Sequence, residues 1–272
     1  MSASQTTISS GERKHDARND VFRAAAMWRL ALANAFMELD QRYRRTFIGK
    51  WWIALTFLLF VGVKVVIFGA LNNVSLQFFA PYLAMGYMLF RFISQSVTGG
   101  AAVFISSQSW IKTEPLPISI HLFSFLAKNF IMMFFMAIPA LILCFWAGRY
   151  SWVALGSLPF VVVLYAINHL WVSCLLGIIA ARFRDVVYVL VTVMQVLYFA
   201  TPILWVPTET GIRAWAAALN PLTHYIAVLR DPMMYGTVPW ISWAVVMSMT
   251  IIGCILAAIA FVRYRKKLVY WI

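Results

Sequence analysis

From residue 51 onward the chain is a succession of long apolar runs separated by short polar connections. Six runs can be marked off, at about 51–71, 81–105, 121–147, 152–181, 186–205 and 239–262. A hydrocarbon layer about 30 Å thick is crossed by roughly 20 helical residues. Lipid offers backbone amides no partners, so runs of this length are predicted as helices. Tryptophans stand at their ends (Trp51, Trp52, Trp152, Trp205, Trp240, Trp243 and Trp271), where an interfacial belt places them. The predicted fold class is an all-α integral membrane protein with six transmembrane helices.

Ahead of these runs the pattern changes. Residues 1–19 are rich in Ser and Thr, then mixed in charge, and read as a disordered tail. Over 20–50, Phe22, Ala26, Leu30, Ala33 and Met37 recur at helical spacing with Arg23 and Arg29 between them. That spacing predicts an amphipathic helix along the membrane surface, ending in the basic cluster Arg42, Arg44, Arg45 and Lys50. Two connections also depart from ordinary loops. Segment 106–119, SSQSWIKTEPLPIS, holds a short helix stopped by Pro115 and Pro117. Segment 206–238 is apolar for a connection and breaks at Asn220-Pro221, which predicts two short external helices partly re-entering the membrane before the last span. The spans occupy 51–262, and a basic tail follows at 263–272.

Charge supplies the orientation. There are 22 Lys and Arg against 9 Asp and Glu, a formal net charge of +13. The first 50 residues hold nine of the basic residues. Lys112, Lys128, Arg182, Arg184, Arg263, Arg265, Lys266 and Lys267 fall on the same side, and only Arg149, Arg213 and Arg230 on the other. Basic residues favour the cytoplasmic side, so both termini are expected in the cytoplasm. Charge placed at the ends of apolar runs does not form the soluble basic face that a nucleic acid needs. A chain 63% hydrophobic and 11% charged, against about 25% charged in soluble domains, has no inventory for a water-soluble surface. The leading segment is polar and carries no signal peptide pattern.

Candidate chemistry is sparse. No Asp or Glu lies in any of the six runs, whereas proton relays need intramembrane carboxylates and membrane hydrolases or transferases need positioned acids, bases or metals. Cys144, Cys174 and Cys254 sit in apolar runs without a CxxC, and His15, His121, His169 and His224 lack metal-ligand spacing. We therefore expect no catalytic residue and no metal site. GxxxxGK[ST] is absent, so any ATP is bound by another subunit. Two cations remain inside the runs. Lys64 either snorkels to the outer interface or lines a pathway. Arg91, followed by Ser94, Gln95, Ser96 and Thr98, is expected to face protein or a hydrated cavity. In the fifth run Tyr188, Thr192, Gln195, Phe199 and Pro202 share one helical face. Rings interleaved with hydrogen-bonding groups suit either sugar stacking or a helix–helix interface with polar glue.

Three stretches carry a resemblance. RYRRTFIGKWW (42–52) resembles the motif leading into the first span of polysaccharide ABC exporter permeases, the ABC type 2 permeases of O-antigen, capsule and teichoic-acid export. ARFRDVVYVLVTVMQVLYFATPILW (181–205) resembles that family's Arg-Phe-Arg-Asp turn, fifth helix and Pro-Ile stop, and ALNPLTHYIAVLRDPMMYG (218–236) its external Asn-Pro-Leu segment. The resemblance runs from about residue 20 to the end. The chain departs from it in Ile48-Gly49-Lys50-Trp51-Trp52, in having no proline before Pro81 within the spans, and in Arg91 where an apolar or aromatic residue is usual.

The resemblance implies a homodimer enclosing a continuous channel, with two copies of an ATP-binding cassette subunit holding ATP and Mg. It places segment 106–119 against the ATPase, with Trp110, Lys112, Glu114 and Pro115 as contacts, where the bland alternative is an ordinary turn. Arg182, Arg184 and Asp185 would anchor the cytoplasmic end of the fifth helix. Segment 207–235, broken at Asn220 and Pro221, would shape the channel exit. The expected function is outward movement of a lipid-linked polysaccharide across the bacterial inner membrane, with Lys64, Arg91, Tyr188, Thr192, Gln195 and Phe199 along the path. Rival readings are a drug or lipid exporter of the same architecture, a proton-coupled carrier and a membrane-embedded transferase.

Overall fold

The computed structural model describes residues 10–72, 74–207 and 210–272. The expectation of disorder over 1–9 lies outside them. Among the described residues every regular element is helical.

The segment before the spans forms two helices where one was expected. Helix α1 (Ser10–Ala26) begins inside the stretch read as disordered, and α2 (Trp28–Tyr43) follows a break at Met27. Extended Arg44 and Arg45, with φ +65°, end α2 before residue 50. A second face packs within the bundle. Ala24 of α1 is buried, and Ala31, Ala35 and Leu39 of α2 are buried at i, i+4 spacing where α2 lies on α6. Phe22 and Met37 point outward, 65% and 49% exposed.

Next come α3 (Trp52–Asn72), α4 (Leu76–Ser106), the six-residue α5 (Gln108–Thr113) and α6 (Ser119–Trp146). They are followed by α7 (Trp152–Arg182), α8 (Asp185–Ala200), α9 (Ile212–Leu219), α10 (Pro221–Tyr235) and α11 (Trp240–Trp271). Helix ends carry local signals. Ser75 and Ser151 accept from the first-turn amides of α4 and α7. Asn220 caps α10 with Pro221 in its first turn, and Gly236, at φ +69°, closes it in the left-handed conformation that glycine favours.

Five stretches are long and apolar enough to cross a membrane: Gly49–Gly69, Leu76–Thr113, Ser119–Trp146, Trp152–Arg182 and Trp240–Trp271. The sixth expected span is shorter than the run that suggested it. Helix α8 has 16 residues, about 24 Å at the usual rise per residue. It stops because Pro202 disfavours helical geometry at Thr201, which is extended with ψ 139°. The chain continues through buried Thr201, Pro202, Ile203 and Leu204 without helix.

Helix α4 is the hub. It packs against α3, α6, α7, α8 and α10. Its crossing with α7 is a seam of small residues. A Cβ on Gly100 would come within 2.8 Å of Ser173 Cα, and one on Gly177 within 3.1 Å of the Gly100 carbonyl. Without a hydrophobic drive between helices in lipid, close backbone approach of this kind is what holds spans together.

Several polar side chains inside the bundle bond to one another. Ser96 Oγ lies 2.6 Å from His169 Nδ1, and Asn129 Nδ2 lies 3.3 Å from the same nitrogen. Asn168 donates to Thr250 at 2.8 Å and accepts from Trp171 Nε1 at 2.7 Å and from the Tyr225 hydroxyl. His169 is thus a core residue, as a lone histidine in an apolar run suggests, and not a ligand. No group of three or more His, Cys, Asp or Glu among the described residues is placed to hold a metal.

The seam yields a test. Gly100→Ala forces a methyl against the α7 backbone and should cost about 1–3 kcal/mol by overpacking, read as a lower melting temperature in detergent. Gly156→Ala, where a Cβ meets nothing within 4 Å, should leave the melt unchanged.

Candidate translocation face and coupling segment

One wall of α4 is polar. Tyr87, Arg91 and Gln95 repeat at i+4 and so share a face. With Arg42, Trp52, Thr56 and Asn129 they line a cavity of about 290 Å³. Arg91 is exposed and faces this space. A second cavity, of about 430 Å³, also includes Gln95 and runs toward α5 past Gln41, Lys128, Ser106, Ser107 and Trp110. Gln95 therefore links two openings along one helix. No carboxylate borders the first cavity; in the second, Glu38 is paired with Lys128 at 2.5 Å.

Lys64 does not reach toward a helix end. Its ammonium donates to the Tyr198 hydroxyl at 2.7 Å and lies 3.9 Å from the Tyr87 ring centroid and 4.7 Å from that of Tyr198. This bond turns it sideways, joining α3, α4 and α8, where ring faces compensate a half-buried cation.

The α8 stripe is open. Tyr188 is 75% and Phe199 67% exposed, Thr192 and Gln195 are exposed too, and Met194 is the buried side of the helix. The stripe makes no interface within the chain. Pro202 does not belong to it: the residue is buried, and its carbonyl is turned inward.

That carbonyl organises the end of the bundle opposite α5. Arg230 Nη1 donates to it at 2.8 Å and the Tyr82 hydroxyl at 2.9 Å, while the guanidinium lies 4.2 Å from the Tyr82 ring centroid. Arg230 is 4% exposed and also pairs with Asp231 at 3.4 Å. Counting basic residues gave Arg230 only a topological role. An arginine followed by aspartate within an apolar segment was the signal that it is buried. Asn220 Nδ2 donates to Thr201 Oγ1 at 2.9 Å, so the break at Asn220-Pro221 is tied back to the end of α8.

At the other end α5 projects outward. Trp110, Lys112, Glu114 and Pro115 are all exposed. Arg182 stacks near Trp271 at 5.7 Å, Arg184 precedes α8, and Asp185 stands in its first turn, where a negative charge suits the helix dipole. Sequence reasoning missed Asp16 and Asp20 on α1, which meet Arg265 and Lys266 of α11. The Lys266 ammonium on Asp16 holds its carboxyl below the usual carboxylate range.

Long apolar helices with an open polar wall define a multi-pass membrane protein. Comparison with known proteins gives the family. The sequence profile of the ABC-2 type transporter matches residues 29–234, and the chain belongs to that family. It is 25% identical over 218 residues to the O-antigen export system permease protein RfbA of Myxococcus xanthus, covering 77% of this chain and 83% of that protein.

The inward carbonyl sets a prediction. Arg230→Met removes a charged donor and leaves Asp231 unpaired, which should cost about 1.5–3 kcal/mol, read as a lower detergent melting temperature. Arg213→Met, at an exposed position on α9, should melt like the parent.

Proposed function

We propose that this chain is the membrane permease of an ATP-driven exporter that carries a lipid-linked polysaccharide of the O-antigen kind outward across the bacterial inner membrane. The observation that carries the reading is the open wall of α4 and α8. It offers rings, hydroxyls, amides and cations, and the candidate spans contain no carboxylate to serve as acid, base or proton relay. Aromatic faces stack on sugar rings, and Thr192 and Gln195 exchange hydrogen bonds with hydroxyls. Many weak contacts let a polymer slide where one tight site would hold it. The name of the Myxococcus relative supports the choice of substrate.

Exposure of the α8 stripe suits a channel closed by a second copy of the chain. The short α8 and the extended stretch after it would together serve as the sixth span. Two ATP-binding subunits would dock on the cytoplasmic side, at α5 and the α1–α2 surface, with both termini on that side by the distribution of basic residues. Arg42 and Arg91, on a cavity without a carboxylate, suit an anionic group on the substrate: the phosphate of its lipid carrier or an acidic sugar. Capsule or teichoic-acid export would use the same parts, and glycan composition separates them.

Two outcomes are expected. Cells lacking the gene should accumulate lipid-linked glycan inside and lose it from the surface; unchanged surface glycan sinks the assignment and favours drug or lipid efflux. A single cysteine at Gln195 or Thr192 should react with a water-soluble thiol reagent in the transporting complex. Complete protection at both positions would mean that α8 faces lipid or packed protein.

A further inference from the structure

A junction of α1, the exit of α5 and the last turns of α11 is built on one carboxylate. Asp20 Oδ1 accepts from Ser119 N at 3.0 Å and Ser119 Oγ at 2.6 Å, and Oδ2 accepts from Ile118 N at 3.2 Å. Arg265 Nη1 meets Oδ2 at 3.2 Å. The Asp20 and Arg265 side chains are 11% and 15% exposed, so the pair is sheltered and screening is reduced. Arg265 Nη1 also donates to the Asp16 carbonyl at 2.6 Å, and Lys266 pairs with Asp16 at 2.9 Å. Beneath these bonds Ala17, Leu268 and Ile272 are buried in one apolar cluster, with Ile111 of α5 and Ile118 packed against it.

Part of this is ordinary helix capping. The first amides of α6 need an acceptor, and a carboxylate there also suits the helix dipole. A cap, however, is normally local. Here the N-cap residue is Ile118, which has no side-chain acceptor, and the cap comes from a carboxylate 99 residues before Ser119. The connector from α5 is stiff, since Pro115 and Pro117 fix their own φ angles and restrict the residues before them. Movement of α5 therefore reaches Ile118 and Ser119 with little slack. There it meets a carboxylate also held by α11, whose basic last turns otherwise read only as a topology signal.

We propose that Asp20 is the positioning residue that makes α5, α1 and the last turns of α11 move as one body, so that displacement of α5 by the ATP-binding partner is delivered to α11 as well as to α6. The inference rests on α5 being the ATPase contact. It makes Arg265 part of the coupling machinery, though it is far from the polar wall in sequence and borders neither of its cavities.

The test uses the full complex with its ATPase in vesicles, reading ATP hydrolysis, glycan export and their ratio at equal amounts of assembled protein. Arg265→Gln leaves the α6 cap intact and is the discriminating variant. It should lower export per ATP at least about fivefold, the low end of measured coupling between sites. Asp20→Asn should lower the ratio too, and the double variant should be no worse than Arg265→Gln alone, because that substitution already removes the contacts of Arg265 with both Asp20 and Asp16. If Arg265→Gln leaves the ratio unchanged, Asp20 is only a cap and the proposal falls; multiplying effects in the double variant would overturn it too. Trp110→Ala separates the two layers. It should lower hydrolysis through loss of the ATPase contact, and a silent Trp110→Ala sinks that premise even if Arg265→Gln is active.

Discussion

The carbonyl of buried Pro202 stands just past the end of a helix, with no next turn to bond to it. A backbone acceptor in that position must find a donor inside the protein. It finds two, Arg230 and Tyr82, on two other helices. That requirement orders the surrounding half of the bundle. Helix α8 can stop early because its exit is held; α10 must lie beneath that exit to bring Arg230; and α4 must present Tyr82 one turn before Gly86, which faces Ile203 and the guanidinium. Thr201 and Asn220 close the same loop at its two ends, so α9 is the part of the connection left outside.

Polar residues within the spans divide by where their bonds go. Ser96, Asn168 and Tyr225 are buried and bond to the chain itself, and in a low-dielectric interior such networks fix one arrangement of helices. Arg91, Gln95, Thr192 and Gln195 are on the same helices or their neighbours but border open space. The division follows geometry more than residue type: on α4, Ser96 turns to α7 while Gln95, one position earlier, turns to the cavities. Lys64 stands between the two classes, its charge compensated by rings and a hydroxyl.

Much of the fold was legible because lipid imposes a length on every crossing segment and leaves helices as the way to satisfy a lone apolar run. The five long spans and the break at Asn220-Pro221 follow from that rule and from local capping chemistry. What hydropathy cannot see is where a run stops being helical, and so 186–205 reads as one span although Pro202 ends the helix inside it. The packing face of the surface helices was hidden for a related reason. Hydropathy marks the side expected to lie along the membrane, where Phe22 and Met37 point outward, and does not mark Ala31, Ala35 and Leu39, which carry the contact with the bundle. For the site, the shared face of Tyr188, Thr192, Gln195 and Phe199 and the polarity of α4 were readable from spacing, but whether the α8 face is open or packed was not. The Pro202 partner of Arg230 and the Ser119 partner of Asp20 were not, because each is at least 28 residues away and no local pattern encodes the pairing; the adjacent Asp231 signalled only that Arg230 is buried.

Helix α4 connects all of these features mechanically. It runs about 36 Å from Tyr82 near the held carbonyl, past Arg91 and Gln95, to Ser106, where only Ser107 separates it from α5. At Gly100 it presses on α7 closely enough that a methyl would meet backbone, so the two helices cannot slide toward each other there. A rigid rod blocked near one point and pushed at one end tilts about that point. The α5 end and the Tyr87–Arg91 stretch lie on opposite sides of Gly100, so under the proposed coupling they swing in opposite senses. An inward push at the ATPase surface would then move the polar wall outward, with the far end limited by the bonds Tyr82 makes. The small-residue seam would in this way serve as the fulcrum that turns a local displacement into a change of the cavity's width.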